Sequence, residues 1–543
     1  MSTDISIGIA GSGGDGVVLL GELLAKAASK VGLHTVLTKS FGPQIRGGES
    51  SSRIRVSDHP LTWGGDKIDV LMLFHWADLL RFKSELVLKR DCRIFIDSAD
   101  DTPVSEIPLP EHYKRSVQRI PFEEIAHVAV NTKQAKNMAL AGAACELFNW
   151  PEEGIKEYIE QRFAKAGEDV IKSNLAAVEA GQQWVRENYQ GESGLRIEYE
   201  RLPPRVFISG NEAFAYGALS AGCRFMAGYP ITPATEILEW MSRELPRFGG
   251  TCVQAEDEIS AVCMAIGASY SGAKALTATS GPGLSLKQEG IGLAQMMEVP
   301  LVVVNVMRVG PSTGMPTLPS QGDVLQAAHG SHGDYHPIVF YPSSVEECYR
   351  YTIEAFNAAE ESRSPVVLLS DGFLSHLAET VDLDKTRVEV KPRTLAPLGQ
   401  GRRHFTGLLA KDGIPRTKDP ATYREWSARI KKKMSDAAAN YRFHEYHKND
   451  ASDTLIIAYG ITYRVVLPLR KQYSIFKPIR MFPLLEDEIR AAAAAHKKII
   501  VVEMNDAQYA GKIQGLLKRD VLSLPILGGE INLREIREGL HEL

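Results

Sequence analysis

Tyr229-Pro230-Ile231-Thr232-Pro233, Glu258 and Arg308 have the residue types and settings that could do chemistry on a small anion. Two prolines in four residues fix an extended, rigid loop behind an apolar strand, the end of an α/β sheet where ligands bind. A plain rigid turn is the competing reading, and Thr235 follows as a helix N-cap. Glu258 heads a helical pattern whose Ala261, Ala265 and Gly267 are small enough for another helix or a subunit to approach closely. A carboxylate there is either a favourable helix-dipole charge or a functional group. Arg308 closes the apolar run Leu301–Met307, and a guanidinium fork at that point suits a bidentate carboxylate contact or a surface salt bridge.

Three further constellations invite a ligand. Gly11, Gly13 and Gly16 have the G-x-G-x-x-G spacing that offers helix N-terminal amides to a pyrophosphate. A ribose-binding carboxylate is due roughly 20 residues on, but Thr38, Lys39 and Ser40 stand there, leaving only Lys39 for a phosphorylated ribose. Nested inside, Gly14-Asp15-Gly16 opens a metal-diphosphate motif that also needs an asparagine downstream, and none occurs before Asn131. His329, His332 and His336 are close in sequence, yet Gly330 and Gly333 oppose the helix that would group them around a metal, so no metal ligand is assigned. Arg46, beside glycines in a polar stretch, suits an anionic ligand or a domain contact.

The elements that position these residues repeat one local grammar: apolar strand, glycine, helical pattern. It occurs at ISIGIAGSGGDGVVLL, RVFISGNEAFAYGALSAG and DTLIIAYGITYRVVLPL. Runs such as PLVVVNVM, SPVVLLSD and KKIIVVEM are continuously apolar and β-branched, as in parallel strands covered on both faces. A length of 543 residues allows three or four domains. The turn-rich stretch near 190–204 reads as a linker, and residues 386–450 as a crossing segment ending in one helix. The expected domains are 1–190, 205–385 and 451–543. A net charge of −5 opposes a general nucleic-acid binder, and Lys431, Lys432 and Lys433 read as a solvated helix face. No apolar run is long enough for a membrane span, and Asp4 does not suit a signal peptide, so a cytoplasmic protein is expected. Six cysteines lie far apart without a C-x-x-C, which excludes a usual zinc or iron-sulfur ligand set and suits reduced, mostly buried thiols.

The ordered set YPITP, an acidic residue heading ISAVCMAIGAS, TATSGPG and MRVGPSTGMPT resembles the α subunit of 2-oxoacid:acceptor oxidoreductases, the thiamin-diphosphate enzymes that act with ferredoxin. GSGGDGVVLLGELLAKAA with FGPQIRGGESSSRIRVS resembles their γ domain, fused ahead of α, and VVEMNDAQYAG their transketolase-C-terminal-like domain. The resemblance implies an α/β fold of three parallel-sheet domains: a Rossmann-like γ domain, a thiamin-pyrimidine-binding domain and a transketolase-C-terminal-like domain. It implies that Glu258, nine residues before Gly267, hydrogen-bonds N1′ of the cofactor's aminopyrimidine. By the same carry-over Tyr229, Pro230 and Ile231 line the pyrimidine, Thr232 touches the substrate's carboxylate and 2-oxo group, and Arg308 faces that carboxylate. His332-Gly333-Asp334 resembles a loop near the active site, and Arg46 a contact for coenzyme A or another domain.

The chain lacks a complete metal-diphosphate motif and clustered cysteines. The resemblance therefore implies that Mg²⁺ and a [4Fe-4S] cluster belong to a partner β subunit, in an (αβ)₂ assembly that shares the thiamin diphosphate. The expected reaction is oxidative decarboxylation of a 2-oxoacid, 2-oxoglutarate first, with coenzyme A to acyl-CoA, CO₂ and reduced ferredoxin or another acceptor. Pyruvate or another 2-oxoacid is the alternative substrate, and an NAD(P)-dependent dehydrogenase using the N-terminal glycines the alternative enzyme. Neither nucleic acid nor membrane is an expected partner.

Overall fold

A computed structural model describes residues 3–41, 48–83, 85–107, 109–189, 195–393 and 404–543. The chain forms two compact units, Met1–Ile208 with Leu377–Asp382, and Ser209–His376 with Leu383–Leu543.

In the first unit the strands are β1 (Asp4–Gly11), β2 (His34–Phe41), β3 (Ser50–Ser57), β4 (Ile68–Leu73), β5 (Leu88–Asp97), β6 (Val117–Ile120) and β7 (Val206–Ser209). Together with a later strand, Ala378–Val381, they give the order β6-β5-β4-β1-β3-β2-(378–381)-β7. The sheet is mixed. It is parallel through β6, β5, β4 and β1, and antiparallel where β3 returns beside β1 and β2. Ile5, Ile7 and Ile9 alternate as expected, yet Ser6 and Gly8 between them are buried too. The helix Val17–Lys30 places Leu20, Leu23, Leu24, Ala27 and Ala28 in the core, as its helical spacing requires. The strand expected to open the middle domain, β7, instead pairs at the edge of this first sheet. Its continuation, the helix Gly210–Ser220, starts with a capping box between Ser209 and Glu212.

The second unit contains β8 (Cys223–Gly228), β9 (Thr251–Gln254), β10 (Lys274–Thr279), β11 (Leu301–Val309), β12 (Met315–Pro319), β13 (Ile338–Phe340) and β14 (Pro365–Asp371); β15 is the strand Ala378–Val381. A short hairpin, β16 (Ala410–Lys411) and β17 (Ile414–Pro415), follows, then β18 (His444–His447), β19 (Thr454–Ala458), β20 (Ser474–Pro478), β21 (Arg480–Phe482), β22 (Lys498–Glu503) and β23 (Leu522–Pro525). One sheet runs β21-β13-β14-β11-β10-β8-β9 with β12 on β11, and another β18-β20-β19-β22-β23. The three β-branched runs become β11, β14 and β22, buried and flanked by parallel neighbours. Burying each such valine or isoleucine contributes about 1.5–3 kcal/mol, which fixes these strands at the sheet centres.

The C-terminal segment is built into the middle sheet. β21 pairs antiparallel with β13, aligning Phe482 with Val339. A single apolar cluster joins Met307, Val339 and Val367 to Leu455, Ile457 and Val501. The helix Pro420–Ala439 is the one expected at the end of the crossing segment. Lys431 and Lys432 are exposed as expected, whereas Lys433 packs inward and pairs with Glu298 at 2.9 Å. Burial opposes the charge on Glu298, but Arg429 and Lys433 win and hold its carboxyl down at about 2.

Candidate active site

The parallel strands of the middle sheet deliver the candidate residues to one edge. β8 ends at Gly228 and passes into Tyr229-Pro230-Ile231-Thr232-Pro233; β9 ends just before Glu258; β10 ends at Thr279 before Ser280-Gly281; and Arg308 lies at the end of β11. This is the carboxyl edge of an open α/β sheet, where binding crevices form.

The proline loop is held by its backbone. Arg308 donates from Nη1 to the Thr232 carbonyl at 2.7 Å. Fully buried Asn211 donates from Nδ2 to the Pro233 carbonyl at 2.9 Å and to Glu236 Oε2 at 3.0 Å. The side chains of Tyr229 and Thr232 are thereby left exposed, while Pro233 is buried. Thr235 is not the N-cap. Ala234 takes that position without a side-chain bond, because the Ala234 amide closes a turn onto the Ile231 carbonyl at 2.8 Å.

Of the consecutive acids Glu256, Asp257 and Glu258, the last alone is buried, at 7% exposure. Asp257 is the N-cap, its carboxylate accepting from the Ser260 amide at 2.7 Å, which makes Glu258 the first residue of the helix Glu258–Ser271. The carboxylate lies over Gly283, where an added Cβ would come within 2.8 Å of Glu258 Oε1. Lys287 reaches the same turn from the helix Gly281–Met296, donating from Nζ to the Glu258 carbonyl at 3.0 Å. Burial pushes the Lys287 amine down to about 8.

Behind Arg308 stands Asp323, held by Asn305 Nδ2 at 2.9 Å, its carboxyl pushed up by burial. Burial also lowers the Arg308 pKa, while Asp323 and Glu258 raise it, so the three groups share one electrostatic neighbourhood. The Asp323 loop is gripped from the C-terminal segment. Met504 donates its amide to Gln321 Oε1 at 2.9 Å, Asn505 Nδ2 donates to the Gln321 carbonyl at 2.8 Å, and Gln508 Nε2 to the Gly322 carbonyl at 2.5 Å. Gln321 Nε2 donates in turn to the Tyr459 carbonyl at 2.8 Å.

Asn211, Lys287, Asn305 and Asp323 were not legible as site residues. Lys287 carried one signal: it is the charged residue between Gly283 and Gly290 at helical spacing. Asp323 had none, because its grip comes from residues about 180 positions away.

The other sequence candidates are placed differently. Arg46 lies outside the described residues. In the glycine loop Gly16 has φ 75°, and a Cβ there would lie 2.3 Å from Asn137 Nδ2. Asp15 closes that loop itself, accepting the Ser12 amide at 2.7 Å and pairing with Lys136 at 2.8 Å. Lys39 is engaged by Glu22 at 2.6 Å. His329 ends the helix Val324–His329, while His332 and His336 follow it in irregular chain. Among the described residues no three His, Cys, Asp or Glu side chains are grouped to hold a metal. None of the six cysteines is in a disulfide; four are buried, but Cys263 is exposed.

A thiamin cofactor fits these residues. Among the described residues, no group hydrogen-bonds the Glu258 carboxylate, and buried Arg308 Nε has no partner. The site thus offers one carboxyl and one cationic N–H to a ligand with complementary groups.

This architecture is that of a thiamin-dependent oxidoreductase subunit. Residues 216–450 match the family model for the thiamine-diphosphate-binding region of pyruvate flavodoxin/ferredoxin oxidoreductase, and residues 6–184 that for pyruvate ferredoxin/flavodoxin oxidoreductase. The 2-oxoglutarate synthase subunit KorA of Methanothermobacter marburgensis is 42% identical over 366 residues, covering 61% of this chain and 96% of that protein. The 2-oxoacid:ferredoxin oxidoreductase α subunit of Saccharolobus solfataricus is 27% identical, over 94% of this chain and 92% of its own. A solved 2-oxoglutarate:ferredoxin oxidoreductase from Magnetococcus marinus, with 2-oxoglutarate, coenzyme A and succinyl-CoA bound, superposes with a TM-score of 0.88 at 30% identity and covers 100% of both chains. The chain belongs to the 2-oxoacid:ferredoxin oxidoreductase family, as a fused α-type subunit. Among the described residues no helix is long and apolar enough to cross a membrane.

Proposed function

We propose that this chain supplies the aminopyrimidine side of a thiamin-diphosphate site that oxidises 2-oxoglutarate with coenzyme A. The products are succinyl-CoA, CO₂, a proton and two electrons, which pass to ferredoxin or a related acceptor. Bound thiamin diphosphate supplies the carbanion that attacks the 2-oxo carbon. Glu258 holds a proton at N1′ of the pyrimidine, sheltered from water by its burial over Gly283. Tyr229, Pro230 and Ile231 line the ring on a loop made rigid by Arg308 and Asn211. Thr232 is exposed to the substrate's carboxylate and 2-oxo group, and the Arg308 guanidinium, with Nε unpartnered, orients that carboxylate. The observation that carries this reading is Glu258, the buried member of three consecutive acids, at the carboxyl edge of the sheet inside the thiamine-diphosphate-binding region.

A partner β subunit supplies Mg²⁺, the diphosphate site and a [4Fe-4S] cluster in an (αβ)₂ assembly. The helix that starts at Glu258 supports this with an uncovered stripe, Ile259 at 53% exposure, Cys263, Met264 at 41% and Gly267, beside Leu286. A stripe of that kind next to a site is the mark of a docking face. Asp15, engaged by Ser12 and Lys136, is not free to ligate a metal in this chain. Residues 1–190 act as the γ-type domain, where Arg46 contacts coenzyme A or another domain, 205–385 as the pyrimidine domain and 451–543 as the transketolase-C-terminal-like domain, joined through 386–450. The complex works in the cytoplasm, where six thiols outside any disulfide stay reduced.

Glu258→Gln in the complex tests the assignment. The variant keeps its far-ultraviolet circular dichroism but loses exchange of the cofactor's C2 proton; unchanged exchange rejects it.

A further inference from the structure

A fully buried lysine beneath Glu258 has no part in the reading above. Lys287 is 0% exposed, on the face of the helix Gly281–Met296 that packs against the helix Glu258–Ser271. Two glycines flank it along that helix. Gly283 makes room for the Glu258 carboxylate, and at Gly290 a Cβ would lie 2.6 Å from Val262 Cγ1. Lys287 sits between these glycines, four residues after one and three before the other, so its stem runs through the gap and its amine ends at the first turn of the opposite helix. The ammonium carries three N–H donors, and among the described residues the Glu258 carbonyl accepts from one of them. A lysine is a costly choice for such a seam, where a methionine of similar volume would pack without desolvating an ammonium.

We propose that Lys287 is a positioning residue for Glu258: it anchors the first turn of the Glu258 helix through the main chain and places a cation where it attracts the Glu258 carboxylate. The inference rests on the assignment of Glu258 to the cofactor. The groups that act on Lys287 are Glu258, Asp257 and Cys263, on the opposite helix or its N-cap, while Glu258 and Asp323 act in turn on Arg308. Burial works against the Lys287 charge, Glu258 and Asp257 restore part of it, and the amine is poised near 8. A neutral residue at 287 removes the attraction between the ammonium and the Glu258 carboxylate.

The test is the pH profile of C2 proton exchange in the complete complex loaded with thiamin diphosphate and Mg²⁺, together with thermal unfolding of the full chain without cofactor. Lys287→Met shifts the acid limb of the profile upward by about one pH unit, the scale of a single charge several ångströms away at an intermediate dielectric. Lys287→Arg, which keeps the charge, leaves the limb in place. Lys287→Gln keeps a donor for the Glu258 carbonyl without the charge and shifts the limb as methionine does; it carries the test if Lys287→Met does not fold. In cofactor-free unfolding, Lys287→Met and Glu258→Gln are non-additive in melting temperature. A neutral variant whose profile superimposes on the parent, or is lowered uniformly at every pH, overturns the proposal. Glu258→Gln separates the two readings: exchange surviving that substitution rejects the Glu258 assignment, whereas its loss alongside an unshifted Lys287→Met limb rejects the role of Lys287 alone.

Discussion

Replacing Gly283 with alanine probes how tightly the candidate site is drawn around Glu258. The added methyl would lie 2.8 Å from both Cγ and Oε1 of Glu258 and 2.1 Å from Thr279 Oγ1. Relaxing the first contact to 3.4 Å requires the carboxylate to retreat by about 0.6 Å, and Thr279, fully buried, to move by about twice that. Overpacking of this kind costs about 1–3 kcal/mol, partly offset by the gain of about 1 kcal/mol from replacing glycine in a helix. The net loss of stability is then about 0–2 kcal/mol. Positioning is another matter, since a misplacement approaching 1 Å at a reacting group costs about 10²-fold in rate. The expected outcome is a protein that stays folded with a modestly lowered denaturant midpoint, and C2 exchange slowed by between about tenfold and a hundredfold. Gly515→Ala, in the helix Gln508–Leu517, is the matched control, because a Cβ there meets nothing within 4 Å and the residue lies outside the site. It raises the stability of the isolated chain by up to about 1 kcal/mol. A folded Gly283→Ala protein that exchanges within twofold of the parent refutes the claim that Glu258 must occupy this position.

Two further outcomes follow from the same geometry. Arg308→Lys keeps the charge but loses the planar fork that serves the Thr232 carbonyl and an incoming carboxylate together, so kcat/KM for the 2-oxoacid falls by about tenfold or more in steady-state assays; an unchanged value removes Arg308 from carboxylate recognition. Asp371, fully buried and bonded to Tyr341 and the Leu374 amide, has its carboxyl pushed up by burial from 3.8 to about 6. Between those values the folded state binds more protons than the unfolded, so this group makes stability fall as pH rises. The stability of Asp371→Asn relative to the parent should then grow by up to about 3 kcal/mol from pH 4 to pH 7, as read by urea unfolding; a pH-independent difference contradicts the burial argument.

Legibility followed the range of the interaction. The strand at Leu301–Val309 was readable because an unbroken β-branched run can be buried on both faces only in a parallel sheet. Glu258 was singled out through the resemblance, by its offset of nine residues from Gly267; its local pattern alone left a helix-dipole charge equally open. The N-cap at Ala234 was misread because a neighbouring turn, not the identity of Thr235, set the helix start. The edge position of β7 was misread for a related reason: strand composition says that it pairs, but not with which sheet.

By itself the sequence determined the α/β class, the parallel central strands, the rigid proline loop and the ordered motifs that place the chain in its family, since each depends on neighbours a few residues apart. Tertiary structure alone decided which acid of three is buried, that Lys287 lies beneath it, and that Asp323 is clamped by Asn505 and Gln508 through Gln321 and Gly322. Those facts depend on desolvation and on partners brought from distant parts of the chain, and neither is encoded in local spacing.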